Sequence, residues 1–467
     1  MAIVSLSRTF AAFVADLTYG DLPAPVVDRA KGVTLQALTS ALLARDMPAS
    51  KQALALMQEE EAGGSGAASV LCSGGKLTKA GAAFVNAEMI LAGGKWDTFR
   101  MLTHPGTAIL PAALVVAETT GASGRQFLTA IAAAYEVMER MAAEFIPSVM
   151  ARGFHAGPVF GIFGAAVAAA KLQGLDAGQI HAAIAQCVNL ASGNLEGIRS
   201  GGRSLREGAA VRNALLAVAM ARHGMPGGET TLEGDAGFYH AYAGNNLGRL
   251  SYSFTGRTST ELSRITEGLG RDWMFLETLY RIYSTAGYNI AHIDVTARLC
   301  EEHNLTYADI DRIEAVVNWF ETEYPSPAFP IPGNDGKPRV GSTQYFTAYG
   351  AVTRGYPLLR GAQPGPSETD PPEVLDLMHR VTLIPMVRRT LFGPRITVFT
   401  KDGRSYTREG TGREFIWDFE EQARRIQPVA PGVGIAAAQF AALIDTCRHL
   451  ERADSAARTL IGLTVAH

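Results

Sequence analysis

Two histidines and two groups of arginines are the residues of this chain best suited to moving protons and holding anions. His104 stands in the irregular stretch Gly93 to Gly106 (GGKWDTFRMLTHPG) close to Asp97 and Thr98, so one loop offers an imidazole, a carboxylate and a hydroxyl. His155 stands just ahead of a long run of tiny residues that reads as a buried helix. At such a helix entry, unpaired N–H groups and the positive end of the dipole welcome an anion and bias an imidazole towards its neutral form. Between them in kind is Gly197 to Arg212 (GIRSGGRSLREGAAVR), where Arg199, Arg203, Arg206 and Arg212 surround a glycine turn leading into a helix. Guanidinium groups grip carboxylates in bidentate fashion. The last cluster is Arg281, Tyr283 and His292, with Arg281 expected at the junction of two domains, where pockets tend to form. Each group also has a plain structural reading. His104 before Pro-Gly suits a turn, His155 suits a helix-entry hydrogen bond, the arginines suit a solvated face, and His292 suits a packed or capping position.

Several chemistries lack their signature. No Gly-x-Ser-x-Gly elbow, HExxH, EF-hand loop or phosphate-binding glycine loop is present. Cys72, Cys187, Cys300 and Cys447 are far apart in sequence, without metal-ligand or redox spacing, and read as buried thiols. The expectation is therefore no metal, with acid–base chemistry on an anion: histidines to move protons and arginines to hold carboxylates.

The elements that would position these residues are mostly helices. Apolar residues recur at helical spacing over Val26 to Leu43, Thr78 to Ala92, Pro111 to Glu118, Gly124 to Phe145, Pro158 to Leu172, Ala177 to Leu190 and Glu207 to His223. Gly157, Gly161 and Gly164 lay a smooth stripe on one face of the segment after His155, which predicts a neighbour packed closely against it. That segment offers about 14 apolar or glycine positions, too few to span a membrane. Beyond residue 270, Ile313 to Phe320, Val381 to Val387 and Ile396 to Phe399 are rich in β-branched and aromatic residues and read as strands. His292 to Glu302 and Thr343 to Arg354 read as helices among them. Ala436 to Arg448 has an apolar face that needs the first domain's core. The expected architecture is a mainly α protein: a large, discontinuous all-α domain from residues 1–270 and 408–467, with a smaller α+β lid domain inserted at 271–407.

A net charge of −3 and 47% hydrophobic residues over 467 positions suit a sizeable core and give no global basic field for nucleic acid or anionic membranes. The N-terminal stretch lacks a basic start, an apolar block and a small-residue cleavage site, so the expectation is a cytoplasmic protein.

These segments resemble the MmgE/PrpD family, which includes 2-methylcitrate dehydratase, cis-aconitate decarboxylase and iminodisuccinate epimerase. His104-Pro-Gly with Ile109-Leu-Pro-Ala-Ala-Leu is similar to its HPG…LPAAL segment, and Ala134-Tyr-Glu-Val to its AYEV helix. Gly153-Phe-His, Gly164-Ala-Ala and Ala170-Lys-Leu-Gln-Gly-Leu-Asp resemble its GFH…GAAAAAAKLLGLD, and Gln344 to Tyr349 with Gly355 resembles a helix of its smaller domain. By position, His104 and His155 match the family's active-site histidines, and Asp97 with Thr98 matches the end of its DFDDT loop. The first aspartate of that loop falls on Gly94 and the second on Trp96. Two motif lysines fall on Arg203 and Arg281, and one motif histidine falls on Ile290.

The resemblance implies a cofactor-independent lyase, a homodimer and a substrate that is a small di- or tricarboxylate losing a proton next to a carboxylate. His104 and His155 are then base and acid, in either order. Arg203 and Arg281 grip carboxylates, with Arg206 beside them, and Thr98 or Tyr283 donates a hydrogen bond to the departing or enolate oxygen. Dehydration by a hydro-lyase leads. An epimerase of an iminodisuccinate-like substrate, a cis-aconitate-type decarboxylase and a non-catalytic carboxylate-binding paralogue are the alternatives.

Overall fold

The structure, a computed structural model, describes residues 5–62, 66–94, 96–199, 205–283, 285–330, 336–356 and 370–466. The chain divides into two compact units: Met1–Ser251, Thr258–Tyr280 and Asp418–His467 form one, and Tyr252–Arg257 with Arg281–Trp417 form the other. The first is therefore discontinuous, and its boundaries fall later than the expected 270/271 and 407/408. Pairing of residues 279 and 280 with the Asp97 segment keeps them in the first unit. Pairing of residues 405–409 with the strand before them keeps those in the second.

The first unit opens with helices α1 (Leu6–Asp16), α2 (Ala24–Ala44) and α3 (Pro48–Glu60), followed by the small ladder β1 (Ala68–Ser69) and β2 (Lys76–Leu77). Next come α4 (Lys79–Gly93), β3 (Asp97–Thr98), α5 (Pro105–Thr120), α6 (Gly124–Ala142), α7 (Ile146–Ala151) and α8 (Ala156–Leu172). It continues with α9 (Ala177–Leu190), α10 (Glu196–Arg199), α11 (Arg206–Arg222), α12 (Phe238–Ala243) and β4 (Leu279–Tyr280). The second unit holds α13 (Gly287–Glu302), β5 (Ile310–Asn318), α14 (Thr343–Thr353), α15 (Pro372–Leu377), β6 (Val381–Met386), β7 (Arg395–Thr400) and β8 (Ser405–Glu409). The chain returns to the first unit with α16 (Phe419–Ile426), α17 (Ala437–Arg448) and α18 (Ala456–Gly462). The protein is thus mainly α, with a four-stranded sheet in the second unit.

Local sequence sets the helix ends. Thr78 caps α4 through the Gly81 N–H, and Ser123–Gln126 and Asp176–Gln179 form capping boxes on α6 and α9. Gly94 and Gly121 end α4 and α5 in the left-handed region, at φ 69° each, which a residue without a Cβ adopts at little cost. One expectation needs correcting. Helix α5 begins at Pro105, not Pro111, because Pro105 supplies the favoured first helical position and Pro111 is accommodated inside the helix.

The core of the first unit is α8 in a ring of neighbours. It packs on α5, α6, α9 and α11, and its residues 156–170 are all buried. The glycine stripe explains how. A Cβ on Gly161 would stand 3.0 Å from the Ala108 Cβ on α5, and one on Gly164 would stand 2.8 Å from the Ile109 side chain and 3.2 Å from the Met138 Cβ on α6. A polar stripe on α6 fastens the segment leading to β4. Glu136 accepts the Phe275 N–H at 3.0 Å and pairs with Arg140, whose guanidinium donates to the carbonyls of Ile265, Glu267 and Asp272.

In the second unit the sheet order is β6-β5-β7-β8, with β5 parallel to β6 and antiparallel to β7. Helices α13 and α14 share its apolar core with Ile313, Ala315, Val317, Ile396 and Val398. Strand β8, closed on β7 by the Lys401–Arg404 turn, is an element the sequence reading lacked. Its exposed and half-buried alternation, Ser-Tyr-Thr-Arg-Glu, carries little apolar signal.

Candidate active site

His104 is held from three sides. It is the residue before α5, and its Nδ1 lies 3.0 Å from the backbone carbonyl of Asp97 and 3.3 Å from the Thr98 hydroxyl. A carbonyl only accepts, so Nδ1 carries the proton and the Nε2 lone pair is the ring's basic site. The Trp96 ring tilts against the imidazole with centroids 4.2 Å apart, and its indole N–H is anchored on the Leu91 carbonyl at 2.9 Å. Thr98 thus meets the histidine itself.

Asp97 is 2% exposed and its carboxylate is fully engaged. It accepts the Gly106 N–H at 3.1 and 3.0 Å and the Tyr135 hydroxyl of α6. It therefore closes the first turn of α5 and fixes the backbone that carries His104. Burial pushes its carboxyl up to about 7, opposed by the Tyr135 and Gly106 hydrogen bonds.

His155 has the opposite arrangement. As the N-cap of α8 its Nδ1 accepts the Gly157 N–H at 3.0 Å, so in the neutral ring the proton sits on Nε2. The ring is 1% exposed, and Nε2 has no hydrogen-bond partner among the described residues. Burial first, then the Arg206 charge and His104, holds the group well below its ordinary 6.5. His155 is a neutral imidazole presenting an N–H.

A third helix start completes the cluster. Arg206 and Glu207 open α11, with the Arg206 Nε 3.5 Å from a Glu207 oxygen. Glu207 reaches Thr107 in the first turn of α5, and a Cβ on Gly157 would stand 2.9 Å from its Oε1 and 3.0 Å from the His155 ring. On the next helix, Glu88 of α4 accepts the Gly208 N–H at 2.7 Å. The starts of α5, α8 and α11 thus meet, so the positive ends of three helix dipoles converge beside the Asp97, Glu88 and Glu207 carboxyls.

Of the residues singled out from the sequence, His104, Thr98, Asp97, His155 and Arg206 come together here. Arg203 lies outside the described residues. Arg212 is exposed on α11. Arg281 and Tyr283 belong to the second unit, where Arg281 acts electrostatically on Tyr288 and Tyr283 stacks on Tyr356 with centroids 3.9 Å apart. His292 is buried there between Thr347, at 3.0 Å, and Glu321, at 3.4 Å. Glu88, Glu207 and Tyr135 were missed as site residues. Glu88 had a signal, a lone carboxylate in the apolar run AAFVNAEMILA, whereas Glu207 reads as one more charge beside the arginines.

The comparisons with known proteins point the same way. A model of the MmgE/PrpD N-terminal domain matches residues 8–249. A cis-aconitate decarboxylase-like protein of Aspergillus oryzae is 26% identical over 300 residues, covering 62% of this chain and 60% of that protein. The cis-aconitate decarboxylase of Homo sapiens is 28% identical over 251 residues, 52% of this chain and 51% of that protein. That of Mus musculus is 30% identical over 171 residues, 35% and 34% respectively. The matched stretch spans less than two thirds of each relative. The family model takes in the Asp97–Thr98 segment, both histidines and the start of α11, and on that match the chain belongs to the MmgE/PrpD family.

Proposed function

We propose that this protein is a lyase acting on a small di- or tricarboxylate, with His104 as the base and His155 as a neutral hydrogen-bond donor. The observation that carries this reading is the opposite wiring of the two Nδ1 atoms, one donating to a carbonyl and the other accepting an N–H. In a dehydration, His104 Nε2 takes the proton next to a carboxylate and the electron pair forms the C=C bond as the β C–O bond breaks. The departing hydroxide, hydrogen-bonded by His155 Nε2–H, takes the proton now on His104 Nε2 and leaves as water. Such positioned acid–base groups contribute roughly 10²–10⁴-fold each. Arg206 and the three helix starts favour the substrate's negative charge, as Arg203 and Arg281 are proposed to do by position. Asp97 and Thr98 act through His104 as positioning residues.

The names of the relatives favour a second reading, decarboxylation. There the C–C bond to a carboxylate breaks, CO₂ departs, and the remaining carbanion takes a proton from His104, which enters the step protonated on Nε2. Epimerisation is less well supported, since it asks both histidines to accept a proton in turn and His155 is held neutral with its outward nitrogen already protonated. The resemblance also supports a homodimer as the working assembly.

Proton NMR in deuterated buffer tests this with 2-methylcitrate, citrate, cis-aconitate, malate and iminodisuccinate. One substrate is expected to lose water or CO₂. His104→Ala is expected to abolish exchange of its α-proton, while His155→Ala keeps some exchange and loses at least tenfold in product formation. Binding without exchange or turnover by any compound would favour the non-catalytic paralogue instead.

A further inference from the structure

The ring that stands against His104 is itself held by a helix end. Gly94 finishes α4 in the left-handed region, and the Trp96 indole N–H comes back onto the last turn of that helix, donating to the carbonyls of Leu91 at 2.9 Å and Ile90 at 3.2 Å. These are among the carbonyls for which an α-helix has no helical donor of its own. So anchored, the half-buried indole meets the imidazole with ring centroids 4.2 Å apart and planes at 47°. The Asp97 carbonyl and the Thr98 hydroxyl both meet Nδ1, so they fix one atom of the ring. Trp96 fixes its plane.

An aromatic face within about 6 Å of a cation attracts it, and indole does so more strongly than phenyl or phenol. A neutral imidazole gains no such attraction. His104 passes through the imidazolium in both readings of the reaction: after taking the substrate's proton in a dehydration, and before giving one in a decarboxylation. The titratable groups around it are Asp97 on its own loop, Tyr135 on α6, the neutral His155 at the start of α8, Arg206 and Glu207 at the start of α11, and Glu88 on α4. All of them stay in place when Trp96 alone is replaced, so their influence cancels in a comparison of wild type with variant.

We propose that Trp96 is a positioning residue for His104, fixing the plane of the imidazole and stabilising its imidazolium form through the indole face. Its part in turnover rests on the site reading given above; its hold on His104 does not. A contact of this kind favours the imidazolium over the neutral ring by about 2- to 30-fold.

NMR titration of His104 without ligand, assigned with His104→Asn, reads that hold. In Trp96→Leu, which keeps apolar cover and loses the aromatic face, the midpoint is expected about half to one and a half pH units below that of the wild type, with Trp96→Phe in between. An unmoved midpoint in folded Trp96→Leu overturns the proposal. The wild-type protein decides the matter even if that variant does not fold: its tryptophan emission is expected to be quenched as His104 gains a proton, and this step to be lost in His104→Asn. Emission that does not follow His104 overturns the proposal as well. With cis-aconitate or 2-methylcitrate as substrate, the limb of the pH–rate profile that reports His104 is expected to move to lower pH in Trp96→Leu together with the midpoint. A shifted midpoint with no turnover of either compound by the wild type, or with a limb that stays in place, overturns the site reading and leaves the hold of Trp96 on His104 standing.

Discussion

At His104 the Asp97 carbonyl fixes the Nδ1–H form, and at His155 the Gly157 N–H fixes the Nε2–H form, so two identical side chains face their surroundings with opposite hydrogen-bonding character. Titration follows from the same surroundings. Asp97 and Glu88, both raised to about 7, contribute stability that is fully present below their unfolded values and is lost as pH rises through 7. His155, depressed, contributes stability present above about 6.5 and lost as pH falls below it. Thermal unfolding is therefore expected to show falling stability between pH 6 and 8, with the slope flattened in Glu88→Gln. A melting temperature that rises through that window would remove Asp97 and Glu88 from the account. The sequence showed the histidines because they stand out in type and motif. It hid Glu207 because a carboxylate next to Arg206 looks like an ordinary surface pair until α5 and α8 are placed over it.

Helix α8 is the element on which the site depends, since it sets His155 at one end and meets α5, α6 and α11 along its length. Its glycines make that approach possible, and the stripe was legible from spacing alone. Gly164→Ala would put a methyl 2.8 Å from Ile109 and is expected to cost about 1–3 kcal/mol, read as a lowered denaturation midpoint at unchanged slope. Full stability in this variant would contradict the close packing. The start of α5 was less legible: Pro111 looked like a helix start, and the irregular loop before it concealed that Pro105 and Asp97 together begin the helix six residues earlier. A carboxylate nine residues upstream capping Gly106 leaves no local sequence signature.

Over the whole molecule, the mainly α character, the inserted sheet unit and the discontinuity of the helical unit were legible because runs rich in β-branched and aromatic residues enter beyond residue 270 and a helical apolar face returns at Ala436 to Arg448. The unit boundaries were less so, since the pairings that decide them, β3 with β4 and β7 with β8, join short strands with weak apolar pattern. Among the described residues no helix is long and apolar enough to cross a membrane. The account as a whole turns on the division of labour between the two histidines. It is tested most directly by ¹⁵N NMR of the imidazoles in protein labelled at histidine, assigned with His104→Asn and His155→Asn. At pH 7.5 the account predicts a neutral His104 protonated on Nδ1 and a neutral His155 protonated on Nε2, with His155 still neutral at pH 5.5. Finding both rings in the same tautomer, or His155 charged near neutrality, would contradict it.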